Sequence, residues 1–284
     1  MVTPFAPDGS LDLDGARRLA QYLVAHGSEG LVTAGTTGEG PTISDAEKLA
    51  LLSAVLEEVG DRVHVIANVG TNDTAHSVQL ARAAAAAGAH GMLVVTPYYN
   101  KPQIDGIVAH TAAIAEAVSG TPIVYYNIPQ RCVVNVSPDG IVRLRDAAGI
   151  VAVKQATTDL DEARAIVRAG LALYAGNDDL LAPFLELGGA GGICVASHLI
   201  GTDMLNLCEL AESGDFDAMH ALDAELSRVY DALSITTNPV PLKAALELAG
   251  HPVGGVRLPL VAATEDERAV LHAMLEQRGL LVTA

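Results

Sequence analysis

Over its first two hundred residues the chain alternates short apolar runs with longer segments of helical periodicity. The apolar runs, rich in Val and Ile, fall at 30–34, 63–69, 91–95, 122–126, 150–154, 171–175 and 192–196, each bounded by Gly, Pro or Asn. Runs of this length that stay apolar throughout read as parallel strands buried on both faces. Between them, 44–59, 74–87, 104–118 and 160–169 carry apolar residues at helical spacing, several introduced by Ser, Thr or Asp at a capping position. Counting Val2-Thr3 as a shortened first strand brings the strands to eight. No GxGxxG turn follows the first strand, so the pattern predicts a (β/α)8 TIM barrel in preference to an open doubly wound sheet.

From residue 201 onward the pattern is helical throughout, at 203–212, 215–232, 240–248 and 265–277. No Pro/Gly/Ser-rich linker announces a separate domain. Residues 1–200 are therefore expected to form the barrel, with 201–284 as C-terminal helices packed on it.

Composition narrows the partners. At 284 residues, half of them hydrophobic, the chain can bury a large core. A formal net charge of −17 argues against nucleic acid and acidic membrane, whose binding needs clustered Lys and Arg. Small metabolites and other proteins remain. Cys132, Cys194 and Cys208 have no CxxC spacing and cannot pair completely, which suits small buried thiols in a reduced, cytoplasmic setting. No leader pattern and no uncharged apolar stretch of membrane-span length is expected to direct the chain elsewhere.

In a TIM barrel the chemistry lies at the C-terminal ends of the strands. Those ends here read Gly35-Thr36-Thr37-Gly38-Glu39, Gly70-Thr71-Asn72, Thr96-Pro97-Tyr98-Tyr99, Tyr125-Tyr126-Asn127, Lys154, Gly176-Asn177-Asp178 and Ser197-His198. Hydroxyls, phenols and one amine are thus expected on one rim. The chain has only four lysines, and Lys154 closes the apolar run Ile150-Val151-Ala152-Val153. Taken alone, a lysine at a strand end more often reaches water or a carboxylate. Among those neighbours it reads instead as a desolvated amine able to form a Schiff base with a carbonyl substrate.

Metal and serine chemistry fit less well. The nine histidines show no HxH or HExxH spacing, so no metal is expected, and no GxSxG elbow is present. The Gly188-Gly189-Ala190-Gly191-Gly192 segment reads equally as a phosphate cradle or as tight turns into a strand.

Several motifs taken together carry a resemblance. Gly35-Thr36-Thr37-Gly38-Glu39, Thr96-Pro97-Tyr98-Tyr99-Asn100-Lys101-Pro102, Tyr126-Asn127-Ile128-Pro129-Gln130-Arg131, Val153-Lys154 and Asn238-Pro239-Val240-Pro241-Leu242-Lys243 resemble, in order and spacing, the dihydrodipicolinate synthase family of pyruvate-dependent class I aldolases. The resemblance runs the length of the chain. It implies condensation of pyruvate with L-aspartate 4-semialdehyde on the diaminopimelate route to lysine, without a cofactor. Lys154 would form the Schiff base, Tyr126 would pass protons at the imine, and Thr36 would link it to Tyr99 from a neighbouring subunit. Thr37 and the main chain of Ile193 would hold pyruvate, and Arg131 the carboxylate of the semialdehyde. A homotetramer, a dimer of dimers, is implied as well. A lyase acting on a sugar acid, or a non-catalytic keto-acid sensor, are the other readings, with Arg131 the residue that separates synthase from lyase.

Three departures from the family pattern are visible. The strand at Val2-Thr3 is short, Gln130-Arg131-Cys132-Val133 replaces a glycine-rich surround of the arginine, and Gln155 stands where an acidic residue commonly follows the lysine. Lysine-regulated members bind lysine near positions matching Asp45, Lys48, Asn72 to His76 and Tyr98. Lys48 here replaces a histidine and His76 an acidic residue, so weak or absent inhibition by lysine is expected.

Overall fold

The computed structural model describes residues 1–281. In chain order, α1 (Leu13–Ala25), β1 (Gly30–Thr33), α2 (Asp45–Val59), β2 (His64–Asn68), α3 (Thr74–Ala86), β3 (Gly91–Val95), α4 (Ile104–Ala117) and β4 (Ile123–Asn127) alternate without a break. They are followed by α5 (Pro129–Cys132), α6 (Pro138–Ala148), β5 (Ala152–Gln155), α7 (Leu160–Arg168), β6 (Ala172–Ala175), α8 (Leu181–Glu186) and β7 (Gly191–Gly192). The helices α9 (Ser197–Ser213), α10 (Phe216–Leu233), α11 (Val240–Leu248) and α12 (Glu265–Arg278) complete the described chain. The seven strands lie side by side in the order β1-β2-β3-β4-β5-β6-β7, and the ladders from β2 to β7 are parallel. Parallel neighbours in sequence order joined by helices are the (β/α)8 class.

Val2-Thr3 does not form the eighth strand among the described residues. Val2 N–H donates to His198 Nε2 at 3.1 Å, Thr3 Oγ1 donates to the Gly38 carbonyl at 2.5 Å, and Pro4 has no N–H to give. Met1 makes a ladder-like bond, its nitrogen donating to the Val32 carbonyl at 2.7 Å. The last predicted strand, 192–196, is also shifted and shortened, to Gly191–Gly192.

Residues group by proximity into two compact units. The first comprises Met1–Val65, Val195–Leu210 and Asp217–Ala284, and the second Ile66–Cys194 and Ala211–Phe216. In the first, α1 packs on α2 and α11 on α12, burying Leu19, Leu23, Leu51, Leu242 and Leu275. In the second, α3, α4, α6 and α7 pack in succession over Met92, Ile107, Ile114, Leu144 and Ile166. Each such side chain contributes roughly 1.5–3 kcal/mol on leaving water.

Candidate active site

Lys154 lies on β5 of the second unit, one residue from its end, where the side chain is 9 % exposed. Its register partner on β4 is Tyr126, which therefore points to the same face of the sheet. The ammonium sits 4.3 Å from the centroid of the Tyr126 ring. Burial pulls the Lys154 pKa down to about 8; Cys194 and Asp178 oppose the shift and the Arg131 charge adds to it. A cation–π contact compensates only part of a buried ammonium's lost hydration, so this amine is held ready to lose its proton.

Arg131 is exposed and sits on the single turn α5, which leads out of β4. Val133 follows it with φ 67°, a left-handed conformation that a β-branched residue adopts at a cost of about 1–3 kcal/mol. Tyr99 also has a positive φ, 71°, and is 88 % exposed, so its ring cannot line the buried lysine of its own chain. Ile193 is partly buried, and its N–H is taken by the Ala175 carbonyl at 2.9 Å. Any main-chain contact it offers a ligand is through its carbonyl.

Not every expected rim hydroxyl joins this face. Tyr125 alternates with Tyr126 and turns to the opposite side, where its buried phenol bonds to Thr96 Oγ1 at 2.9 Å. Burial pushes that phenol's pKa up, which suits a packing role. His198, in the first unit, is likewise a satisfied core histidine: Nδ1 meets the Val195 carbonyl at 2.8 Å and burial pulls its pKa down to about 3. The glycine-rich segment behaves as tight turns, with Gly188 and Gly191 at positive φ and a side chain at Gly189 blocked by the Phe184 carbonyl. Cys132 is buried, and burial raises its thiol to about 11. Among the described residues no group of three or more His, Cys, Asp or Glu is placed to hold a metal ion.

Thr36 and Thr37 belong to the first unit, on the turn after β1, and both are partly buried. The turn is bracketed by Ala34 and Glu39, each at φ 55°, and a side chain at Gly40 would run into the Ala34 carbonyl. Asn238 Nδ2 donates to Thr37 Oγ1 at 2.9 Å, which leaves the threonine proton directed elsewhere.

Below the turn, Glu39 Oε1 stands 2.6 Å from Lys243 Nζ, with side chains 1 % and 3 % exposed. The approach is close but poorly directed for a hydrogen bond; the Lys243 ammonium donates instead to the Gly255 carbonyl at 2.7 Å. Lys243 and Arg257 also lie over the Phe5 ring, at 4.2 and 4.4 Å. Arg257 N–H donates to Glu39 Oε2 at 2.9 Å, while its guanidinium grips Glu47 and holds that carboxyl down at about 2.

Sequence reasoning gave no role to Asn238 or to Cys194. The first could have been suspected because it opens the Asn238-Pro239-Val240-Pro241-Leu242-Lys243 motif; for the second, adjacency to Ile193 is the only signal.

A family model described as the dihydrodipicolinate synthetase family matches residues 1–278. A 4-hydroxy-tetrahydrodipicolinate synthase of Moorella thermoacetica is 49 % identical over 99 % of this chain and 97 % of its own. A solved dihydrodipicolinate synthase from Cyanidioschyzon merolae with lysine bound superposes with a TM-score of 0.96 at 38 % identity, covering 99 % of this chain and 97 % of that one. A chloride-inhibited synthase from Acinetobacter baumannii, complexed with pyruvate, gives 0.95 at 34 % identity over 99 % and 97 %. The strand order, the C-terminal helices and the agreement along the whole length have one explanation: the chain belongs to the dihydrodipicolinate synthetase family.

Proposed function

We propose that this protein condenses pyruvate with L-aspartate 4-semialdehyde through a Schiff base on Lys154, as a class I aldolase-type lyase serving diaminopimelate and lysine biosynthesis. The observation that carries the reading is the desolvated Lys154 amine against the Tyr126 ring. The neutral amine attacks the ketone carbon and water leaves, so that a protonated imine forms. This cation takes up the electron pair when the methyl group loses a proton, and the resulting enamine attacks the aldehyde carbon. Tyr126 moves protons at the imine, relayed through Thr36 to Tyr99. Thr37 and Ile193 hold pyruvate, and Arg131 offers two N–H groups to the semialdehyde carboxylate. Residues 201–284 form a helical extension of the barrel of residues 1–200. Among the described residues no helix is long and apolar enough to cross a membrane, in keeping with a cytoplasmic setting. Incubation with pyruvate, reduction with borohydride and peptide mass mapping test the reading. The label belongs on Lys154; a label on Lys101 or Lys243 refutes it.

The exposure of Tyr99 supports a neighbouring subunit's site as its place, and with it an assembly of at least two chains, a dimer of dimers by family resemblance. Tyr99→Phe and Lys154→Ala chains, each nearly inactive, are therefore expected to regain activity when mixed. Random exchange in equal amounts restores roughly one quarter of the sites, because one site in each mixed dimer receives both intact residues. Proven exchange without recovery counts against the arrangement.

Feedback by L-lysine is expected to be weak or absent. Lys48 brings a cation to a region where lysine-binding relatives would need none, and its ammonium pairs with Asp45 at 3.1 Å. Asp45, the candidate to supply a substitute charge, is thus already engaged. Loss of one charge-assisted hydrogen bond weakens binding by about ten-fold or more. Strong inhibition at sub-millimolar lysine in a steady-state titration contradicts this.

A further inference from the structure

The residues that follow Tyr126 and Lys154 point to the other face of the sheet, where Asn127 and Gln155 are register partners and both are buried. Asn127 Nδ2 donates to Gln155 Oε1 at 3.0 Å, to Asn135 Oδ1 at 2.9 Å and to the Val136 carbonyl at 3.2 Å, and Asn127 Oδ1 accepts from Val136 N–H at 3.1 Å. One side chain at the end of β4 therefore clamps the far end of the loop that begins there. Glu162, on the first turn of α7, closes the network. Its Oε1 accepts from Asn135 Nδ2 at 2.8 Å, and its Oε2 accepts from Gln155 Nε2 and Thr157 Oγ1, both at 3.2 Å. Gln155 Nε2 also donates to Thr157 Oγ1 at 2.9 Å.

The clamped loop, residues 128–135, carries Arg131, the buried Cys132 and the left-handed Val133. A short segment with a strained residue keeps one shape only when its surroundings over-determine it. Here the ends are tied to each other by Asn127, the middle is anchored by Cys132, and Glu162 joins the loop to the strand that bears Lys154. The neutral amide at Gln155 is what permits the closure. It presents an acceptor to Asn127 and a donor to Glu162, whereas a carboxylate at that position would face Glu162 with like charge.

We infer that the Asn127, Gln155, Glu162 and Asn135 network is a positioning device that fixes Arg131 relative to Lys154, and so sets selectivity for an acceptor aldehyde bearing a carboxylate. The inference rests on the role given to Arg131 above. These four residues act through Arg131 and not on the reacting atoms, so their removal affects the acceptor and spares the imine.

Asn135→Ala and Glu162→Ala test this, the first at an exposed position where the fold tolerates truncation. Each is expected to raise KM for aspartate semialdehyde by about ten-fold, while KM for pyruvate and borohydride trapping of pyruvate on Lys154 stay at wild-type level. Glu162→Gln, which keeps an acceptor for Gln155 and Thr157, falls between wild type and Glu162→Ala. In an Arg131→Ala background the Asn135→Ala change adds nothing further, which a merely structural role would not produce. Equal rises in both KM values, or an additive loss on top of Arg131→Ala, overturn the inference. A raised semialdehyde KM in Arg131→Ala alone, with Asn135→Ala and Glu162→Ala unchanged, overturns it and leaves the role of Arg131 standing. An Arg131→Ala enzyme with unchanged semialdehyde KM removes the role of Arg131, and the inference with it.

Discussion

Lys154→Met abolishes turnover without weakening the fold. The substitution keeps the length of the side chain and removes its nucleophile, so no imine forms with pyruvate, and kcat falls on the order of 10^4-fold. Lys154→Arg is expected to be as inactive, because a guanidinium stays charged throughout the usable pH range. Burial holds the wild-type amine at about 8, which leaves roughly one quarter of it neutral at pH 7.5, against roughly one part in a thousand for an ordinary lysine. The kcat/KM for pyruvate therefore rises about ten-fold per pH unit below 8 and levels off above it.

The same shift has a stability counterpart. Between about pH 8 and the ordinary lysine value of 10.5, the unfolded chain binds a proton that the folded chain does not. Stability attributable to this group is thus greatest above 10.5, declines as pH falls toward 8 and stays low below it. The full difference is on the order of 3 kcal/mol at neutral pH. Lys154→Met removes that cost, so urea unfolding at pH 7 should show a variant at least as stable as wild type. An active Lys154→Met enzyme, or one that is inactive because it is unfolded, contradicts the assignment.

Much of the fold is legible in the chain because parallel strands buried on both faces leave uninterrupted apolar runs. The run at 91–95 is β3 to the residue, and the helical pattern at 240–248 is α11. An apolar run alone does not make a strand: of the run at 192–196 only Gly192 is in β7, which pairs Gly191 and Gly192 with β6, and Ile193 to Ala196 lie beyond it. Helix α6 is not among the periodic segments picked out from the sequence, although Ser137 caps it, Pro138 opens it and Ile141, Leu144 and Ala148 are buried at helical spacing. At the site, the position of Lys154 at a strand end is plain from the run it closes. Which neighbouring hydroxyls share its face is not, because facing depends on the register between strands. Tyr126 joins the lysine and Tyr125 turns away only once β4 is set against β5. The partners of Glu39 are equally silent in the sequence, since Lys243 and Arg257 come from the far end of the chain.

Glu39→Ala is expected to cost about 3–5 kcal/mol, the loss typical when one member of a buried ion pair is left alone. Lys243 would keep its charge beside Phe5 and the Gly255 carbonyl, in a site from which water is excluded and where burial already lowers its pKa. The Arg257 N–H would lose its acceptor as well. For a domain of this size the thermal midpoint should fall on the order of 10 °C. Lys243→Met alone should be comparably harmful, because it strands the Glu39 carboxylate with only the Arg257 N–H. The double variant Glu39→Gln with Lys243→Met removes both charges and keeps an acceptor for that N–H, so it is expected to recover most of the loss. A double-mutant cycle by urea unfolding measures the coupling. Activity should separate from stability in the recovered variant, since Glu39 closes the turn that carries Thr36 and Thr37, and a turn freed from its ionic anchor binds pyruvate less well even in a folded chain. Additive single losses, with no recovery in the double variant, would show that the pair is not the contact that fastens this turn.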